Sequence, residues 1–197
     1  MKLEVAAIRA EKPSNELVRK YKLKFETDKK YSNEDKIQKI ITEKIFDRDK
    51  YETILITVIL INKLYSTNIY KTDLMADHIY KNRERIHSLI KSGDSKAIEA
   101  VAKGHGIKDL NFYSFASKYC NYFNAEEFPI YDSYIENMLC VYKLKDSSFE
   151  KFKREELKNY EKFRNIIRKF RSHYQLDDYH LREIDKFLWL YGKELFQ

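Results

Sequence analysis

The sequence predicts an all-α protein, and three observations support that prediction. Glycine and proline, which favour turns and hairpins, number only 4 and 2 in 197 residues, well below their usual share. Apolar residues recur at intervals of three and four along most of the chain, which is the spacing of one helix face. Serine, threonine or aspartate precedes several of these segments, where helix N-caps are expected. With no linker or repeat evident, we expect a single domain over residues 1–197.

The N-terminal half is expected to contain four main helices. Ser14 is placed to cap the first and Ser32 the second. The segment 51–65, YETILITVILINKLY, is apolar nearly all round, which predicts a central buried helix. A further helix is expected to begin at Thr72 and to end at Gly93, because glycine is common just after a helix C-terminus.

The second half continues the same pattern. A short helix over 95–103 is expected first, then helices over 111–123 and 132–141. The final third contains SSFEKFKREELKNYEKFRNIIRKFRSHY and LDDYHLREIDKFLWLYGKELF. Their periodicity predicts two long amphipathic helices within residues 147–197.

Charge and composition limit the class of function. Lysine and arginine exceed the acids by 7, which favours polyanionic partners such as nucleic acid. Cys120 and Cys140 lie in apolar helical patterns and fit small core residues rather than metal ligands. The longest apolar run, ILITVILI over 54–61, is too short to cross a bilayer. We therefore expect a cytoplasmic protein with no cofactor, no bound metal and no membrane partner.

The stretch FPIYDSY, residues 128–134, places one acid, Asp132, among large apolar and aromatic residues. An aspartate just before a helix is an ordinary N-cap. Its N3 residue is Ile135, so no capping box is expected. Capping alone explains such a residue, and a chemical role can coexist with it.

The order of elements around Asp132 resembles the helix-hairpin-helix DNA glycosylases, the superfamily that includes endonuclease III-like enzymes. A helix, YSFASKYCNYF over 113–123, is followed by a short loop and by PIYDSYI, which stands where that family carries its aspartate. LITVILINKLYST over 55–67 looks like the family's earlier buried helix. The similar parts cover about residues 50–142, and the resemblance implies that the helices of 147–197 pack on this core.

The chain also departs from that family pattern. The family hairpin is a Gly-x-Gly turn that binds a DNA phosphate, but residues 110–112 at that position are Leu-Asn-Phe. Gly104 and Gly106 fall several residues too early. Ser114 stands where bifunctional members carry a lysine nucleophile, and Lys118 lies one helical turn further on, on the same face. The resemblance therefore implies a monofunctional enzyme that uses water.

For the reaction, the resemblance implies hydrolysis of the N-glycosidic bond of a modified base that is flipped out of double-stranded DNA. Asp132 would be catalytic, because a carboxylate stabilises the positive charge that develops on the sugar and orients the attacking water. Aromatic side chains would stack on the flipped base. The small size and altered hairpin favour an unusual substrate, such as a hypermodified base in foreign DNA. The implied DNA- and base-binding residues are Asn62, Lys63, Phe112, Tyr113, Ser114, Lys118 and Tyr131.

Two alternatives stay open. The missing hairpin glycines and the missing lysine favour a non-catalytic helical module that binds nucleic acid or a protein. Arg168 and His173 also form an Arg-x4-His pattern that resembles the active-site motif of HEPN ribonucleases, which are likewise all-helical. The sequence does not predict the oligomeric state.

Overall fold

A computed structural model describes residues 2–41, 49–103 and 112–197 of the chain. Over these ranges the regular structure is helical and no strand is present, which confirms the all-α prediction. Gly104 and Gly106 lie outside the described residues, as do Leu110 and Asn111 of the altered hairpin.

Eleven α-helices and one 3₁₀ helix follow one another along the described residues. In chain order they are α1 (Leu3–Arg9), α2 (Asn15–Thr27), α3 (Lys29–Lys39), α4 (Tyr51–Tyr65), α5 (Thr72–Lys81), α6 (Arg83–Ser92), α7 (Lys96–Ala102), α8 (Tyr113–Phe123), α9 (Ser133–Lys145), a 3₁₀ helix (Arg154–Lys158), α10 (Tyr160–His173) and α11 (Leu181–Phe196).

The chain divides into two compact units. Unit 1 comprises Met1–Ser32 together with Pro129–Gln197, and unit 2 comprises Asn33–Phe128. The glycosylase-like region expected over about 50–142 therefore includes parts of both units. The expectation of a single domain over 1–197 stays a prediction.

In unit 1, α11 is the central helix. Tyr21 of α2 packs on it through ring contacts with Phe187 and Tyr191, with centroids 5.9 and 4.9 Å apart. On the face toward α9, a Cβ added to Gly192 would lie 2.7 Å from Met138 Cγ and 3.1 Å from the Tyr134 carbonyl oxygen. These two helices can approach so closely only because residue 192 has no side chain.

In unit 2, α4 packs against α5, and α7 against α8. The expectation that α4 is a central buried helix is wrong for one face. Ile56 and Ile59 are 44% and 45% exposed, and Glu52 and Lys63 extend the same exposed stripe. The stripe follows helical spacing, so α4 is a surface helix with an apolar outer face.

The helix expected from Thr72 to Gly93 is interrupted. Its two parts, α5 and α6, meet at Asn82, whose backbone has φ −111° and ψ 12°. The Asn82 side-chain amide donates to the His78 carbonyl oxygen at 2.9 Å, and such a bond competes with the helical ladder. The expected end at Gly93 is confirmed, with a left-handed φ of 70°.

Two other helix starts differ from expectation. The helix that Ser32 is expected to cap already begins at Lys29, and the Ser32 N–H donates to the Asp28 carbonyl oxygen at 2.9 Å. In the last third, the first of the two long helices is replaced by the 3₁₀ helix and α10. Asn159 separates them, because its side chain accepts from the Lys162 N–H and so caps α10.

Cys120 and Cys140 are buried free cysteines, as expected.

Candidate functional site

Asp132 is the N-cap residue of α9. Its backbone is extended, with φ −146° and ψ 155°, and its Oδ1 accepts from the Tyr134 N–H at 2.9 Å. The side chain is half-buried. The capping role expected from the sequence is confirmed, and the catalytic role stays a prediction.

The segment before Asp132 is held by two long-range hydrogen bonds. The Tyr160 hydroxyl donates to the Pro129 carbonyl oxygen at 2.8 Å, and the Ile130 N–H donates to Asp185 Oδ2 at 3.1 Å. Asp185 is itself buried and also accepts from Arg182 Nη1 at 2.9 Å. A carboxylate that is buried and paired in this way holds an irregular segment in one conformation, so Asp132 has a fixed position in unit 1.

Tyr131 is a core residue. Its ring packs edge-on against Phe163 with centroids 5.3 Å apart, and the Lys158 ammonium lies 4.7 Å from the ring centroid. Its hydroxyl is hydrogen-bonded to Glu136 and Lys158. Stacking on a base would require the ring to leave these contacts. The observed arrangement therefore does not favour the predicted base-binding role of Tyr131, which stays a prediction.

Glu136 organises this part of unit 1 and was not singled out by the sequence. Its carboxylate is buried and is paired with Arg154 and with Lys158, the latter at 3.0 Å. These pairs join α9 to the 3₁₀ helix. The available signal in the sequence was an acid in an otherwise apolar stretch of a helix. That signal does not identify the two basic partners, which lie 18 and 22 residues away.

Lys118 is a buried lysine of unit 2, with only 1% of its surface exposed. Its Nζ donates to Ser114 Oγ at 2.7 Å and lies 5.3 Å from the centroid of the Tyr65 ring. The two α8 residues share one face, as their spacing predicts. This pairing places an amine, a hydroxyl and an aromatic face together.

The other expected binding residues of unit 2 lie at the ends of α4 and α8. Phe112 and Tyr113 are half-buried at the start of α8, and Lys63 is exposed. Asn62 closes the loop after α4, because its Oδ1 accepts from Thr67 Oγ1 at 2.8 Å and from the Ile69 N–H at 3.0 Å. Asn62 thus has a structural role, which leaves a DNA contact by this residue as a prediction.

The predicted site residues are divided between the two units. Tyr131 and Asp132 belong to unit 1, and the remaining six belong to unit 2. Those six are Asn62, Lys63, Phe112, Tyr113, Ser114 and Lys118.

A second polar cluster in unit 1 joins His173 to a residue that the sequence did not indicate. His173 Nε2 lies 2.9 Å from Asp146 Oδ2, and Asp146 Oδ1 accepts from the Ser148 N–H at 3.0 Å and from Ser148 Oγ. These hydrogen bonds, led by that of the Ser148 hydroxyl, hold the pKa of the Asp146 carboxyl well below its usual range. Arg168 is half-buried on the same helix as His173.

Within the described ranges, no group of three or more histidine, cysteine, aspartate or glutamate residues is placed to hold a metal ion. Among the described helices, none combines the length and the apolar character that crossing a membrane requires.

The described residues thus define a helical protein of two compact units. The HI_0787_N family, which is described as an N-terminal domain, matches residues 17–127, more than half of the chain, so the protein belongs to this family. A Haemophilus influenzae protein named only "Uncharacterized protein" is 39% identical over 153 residues, covering 77% of this chain and 72% of that protein. No solved structure matches the chain.

Proposed function

We propose that the protein is a monofunctional DNA glycosylase that releases a modified base from double-stranded DNA. The observation that carries the proposal is the position of Asp132, a half-buried carboxylate held at the start of α9 by the Tyr134 N–H. The segment before it is tied to Asp185 and Tyr160. A carboxylate that is already oriented needs no reorganisation when charge develops beside it.

The proposed reaction uses that orientation directly. As the N-glycosidic bond breaks, positive charge builds on the sugar, and the carboxylate stabilises it while orienting the attacking water. The net charge of +7 favours association with DNA.

The test is a base-release assay on DNA duplexes that each contain one modified base. Abasic sites are detected by alkaline strand cleavage, with the wild type and with Asp132→Asn. Asparagine is as good an N-cap as aspartate, so this variant removes the charge and keeps the cap. We expect the rate to fall by about 10²–10³-fold, the loss typical of a preorganised transition-state contact.

Asn159→Ala is the matched control for capping. It removes the side chain that caps α10, so stability should fall by about 1 kcal/mol while base release is unchanged. Equal product from the wild type and Asp132→Asn would refute the proposal. So would the absence of base release from every duplex tested.

A non-catalytic nucleic-acid-binding module is the second candidate. It is favoured by the capping role of Asp132 and by the burial of Tyr131 and Lys118, since each of these residues then has a structural explanation. This candidate predicts DNA binding that weakens steeply with salt, survives Asp132→Asn, and is accompanied by no base release.

The ribonuclease alternative concerns α10. His173 is paired with Asp146, an arrangement that orients an imidazole for proton transfer. Cleavage of RNA by the wild type, lost on His173→Ala, would support this alternative. Intact RNA after incubation with the wild type would exclude it.

A further inference from the structure

Unit 1 contains an open polar cleft that the proposed reaction does not use. Its volume is about 510 Å³, and its lining includes Lys12, Asn15, Asp146, Ser148, His173 and Gln175. Small-molecule sites in proteins typically have volumes of a few hundred Å³ to about 1,000 Å³. The cleft is therefore large enough for a nucleotide-sized ligand.

The histidine in this cleft is held in a defined orientation. Its Nε2 is bonded to Asp146, and its ring packs against Phe149 and Tyr174, with centroids 5.5 and 4.7 Å apart. Because Nε2 is engaged by Asp146, Nδ1 is the ring nitrogen left for a ligand. When the ring is protonated, Nδ1–H is a donor suited to an anionic oxygen.

Asp146 brings a negative charge to the cleft, so anion binding requires cationic groups of the cleft to offset it. It accepts from the Ser148 N–H, from Ser148 Oγ and from His173. Since Ser148 Oγ donates to Asp146 rather than to His173, the three side chains do not form a nucleophile–base relay. The arrangement fits binding rather than acyl transfer.

Positive character comes from Lys12 and from the start of α2. Lys12 is exposed in the connection between α1 and α2. The 13-residue helix α2 begins beside it at Asn15, where Ser14 Oγ accepts from the Leu17 N–H. The other first N–H groups of a helix lie outside its own ladder and attract anions. A lysine, a helix start and an orientable imidazole therefore face one cleft.

Gln175 adds a conformational observation. It has a φ of +57°, in the left-handed region that favours glycine or asparagine. Its backbone N–H closes the last turn of α10 on the Ser172 carbonyl oxygen at 3.1 Å. A glutamine kept at such a position places an amide group on the cleft, where glycine would leave none.

We propose that this cleft binds the phosphate group of a nucleotide or of an oligonucleotide. Lys12 and, when its ring is protonated, His173 are its cationic partners. Asn15 and Gln175 supply amide donors, and Asp146 positions the imidazole. Phosphate offers several anionic oxygens to convergent donors of this kind. This binding site is independent of base release by Asp132.

The test uses the full chain with three probes: inorganic phosphate, adenosine monophosphate and a short single-stranded oligonucleotide. Binding is followed by isothermal titration and by amide chemical shifts. We expect shifts at residues 12, 14, 15, 148 and 173–175. We also expect an affinity about tenfold weaker in Lys12→Gln and in His173→Gln, as for loss of a charge-assisted hydrogen bond. Lys91→Gln, at an exposed lysine of unit 2, makes the same charge change outside the cleft and should leave affinity unchanged.

The probes also separate the two sources of phosphate. Tighter binding of adenosine monophosphate than of the oligonucleotide identifies a nucleotide site, and the reverse order identifies a strand-binding site. Because Lys12 is exposed, Lys12→Gln should fold normally. This variant therefore tests the proposal even if His173→Gln does not fold. Equal affinity in Lys12→Gln and wild type, or no shifts at the cleft residues with any probe, would overturn the proposal. Base release should be unaffected by Lys12→Gln, so the two proposals fail separately.

Discussion

Lys118 keeps an ammonium group inside unit 2, where burial of a charge is costly unless hydrogen bonds compensate it. Ser114 Oγ provides one such bond at 2.7 Å, and the Tyr65 ring provides a nearby π face. Ser114→Ala should therefore lower the free energy of unfolding by about 1–3 kcal/mol, the cost of removing one hydrogen-bond acceptor from a buried ammonium group.

In a Lys118→Met background the same Ser114→Ala change should cost less, because methionine needs no acceptor. Urea denaturation of the four proteins completes the double-mutant cycle. An equal cost of Ser114→Ala in both backgrounds would show that the hydrogen bond contributes nothing.

Asp146 links stability to pH. Its pKa is well below the usual range in the folded chain, chiefly because the Ser148 hydroxyl donates to it and then because His173 does. A carboxyl with a depressed folded pKa stabilises the native state above its unfolded pKa, near 4, and loses that contribution as pH falls through the folded value. Asp146→Asn should thus be less stable than the wild type at pH 7, with the difference shrinking below about pH 4.

Urea unfolding measured from pH 3 to pH 7 tests this expectation. Asp178→Asn changes an exposed aspartate of the same unit and should leave the pH dependence unchanged. A stability difference between wild type and Asp146→Asn that is constant over the whole range would contradict the linkage.

For single residues, the features that depend on near neighbours in the sequence were predictable, and the contacts between distant residues were not. The N-caps at Ser14 and Asp132 could be predicted, because a cap depends on residues two or three positions away. The pairing of Asp146 with His173, 27 residues apart, is created by tertiary packing. The burial of Lys118 is likewise a tertiary result, since lysine is almost never fully buried unless it is paired.

The contact between α9 and α11 depends on a single glycine. Alanine in a helix interior is normally about 1 kcal/mol better than glycine, yet a Cβ at residue 192 would lie 2.7 Å from Met138 Cγ and 3.1 Å from the Tyr134 carbonyl oxygen. Met138 can shift, but the Tyr134 backbone belongs to α9 and cannot move alone. Gly192→Ala should therefore destabilise the protein by about 1–3 kcal/mol, as overpacking does.

Thermal or urea unfolding measures the effect, and Gly192→Ala in a Met138→Ala background is the control. Removing the Met138 side chain should recover part of the loss and leave the share due to the Tyr134 carbonyl. An increase in stability for Gly192→Ala alone would mean that helix propensity dominates and that the two helices are not in close contact.

Among the elements, α4 shows why periodicity has limits. Its apolar residues nearly surround the helix, so no face was marked as exposed, and the sequence predicted a central buried helix. Ile56 and Ile59 are nevertheless 44% and 45% exposed, because apolar residues contribute much of every protein surface. The sequence did not predict the break at Asn82 either, because the apolar spacing continues across it. In the structure, the break is marked by the side-chain bond of Asn82 to His78.

For the whole molecule, the family match and the division into units share one boundary. The match ends at residue 127 and unit 2 ends at Phe128. The N-terminal limits differ, because the match begins at residue 17 and so includes α2, a helix of unit 1 that packs on α11. Composition alone predicted the helical class, but no linker marks the units, so the sequence did not indicate this division.

The different chain arrangement of the two units leads to a folding prediction. Unit 2 is one continuous segment, whereas unit 1 needs both ends of the chain. A fragment of residues 29–128 retains α3 whole and has enough residues for an independent core. We expect it to be helical by circular dichroism and to unfold cooperatively. Residues 129–197 alone should not, because Phe187 and Tyr191 lose their contacts with Tyr21.

Adding a peptide of residues 1–32 to the 129–197 fragment should restore cooperative unfolding, since α1 and α2 return to their partners α9 and α11. The same peptide with Tyr21→Ala is the matched control and should restore less, because it lacks a ring that packs on α11. If 129–197 unfolds cooperatively without the peptide while 29–128 is unfolded, the two units are not the folding units of this chain.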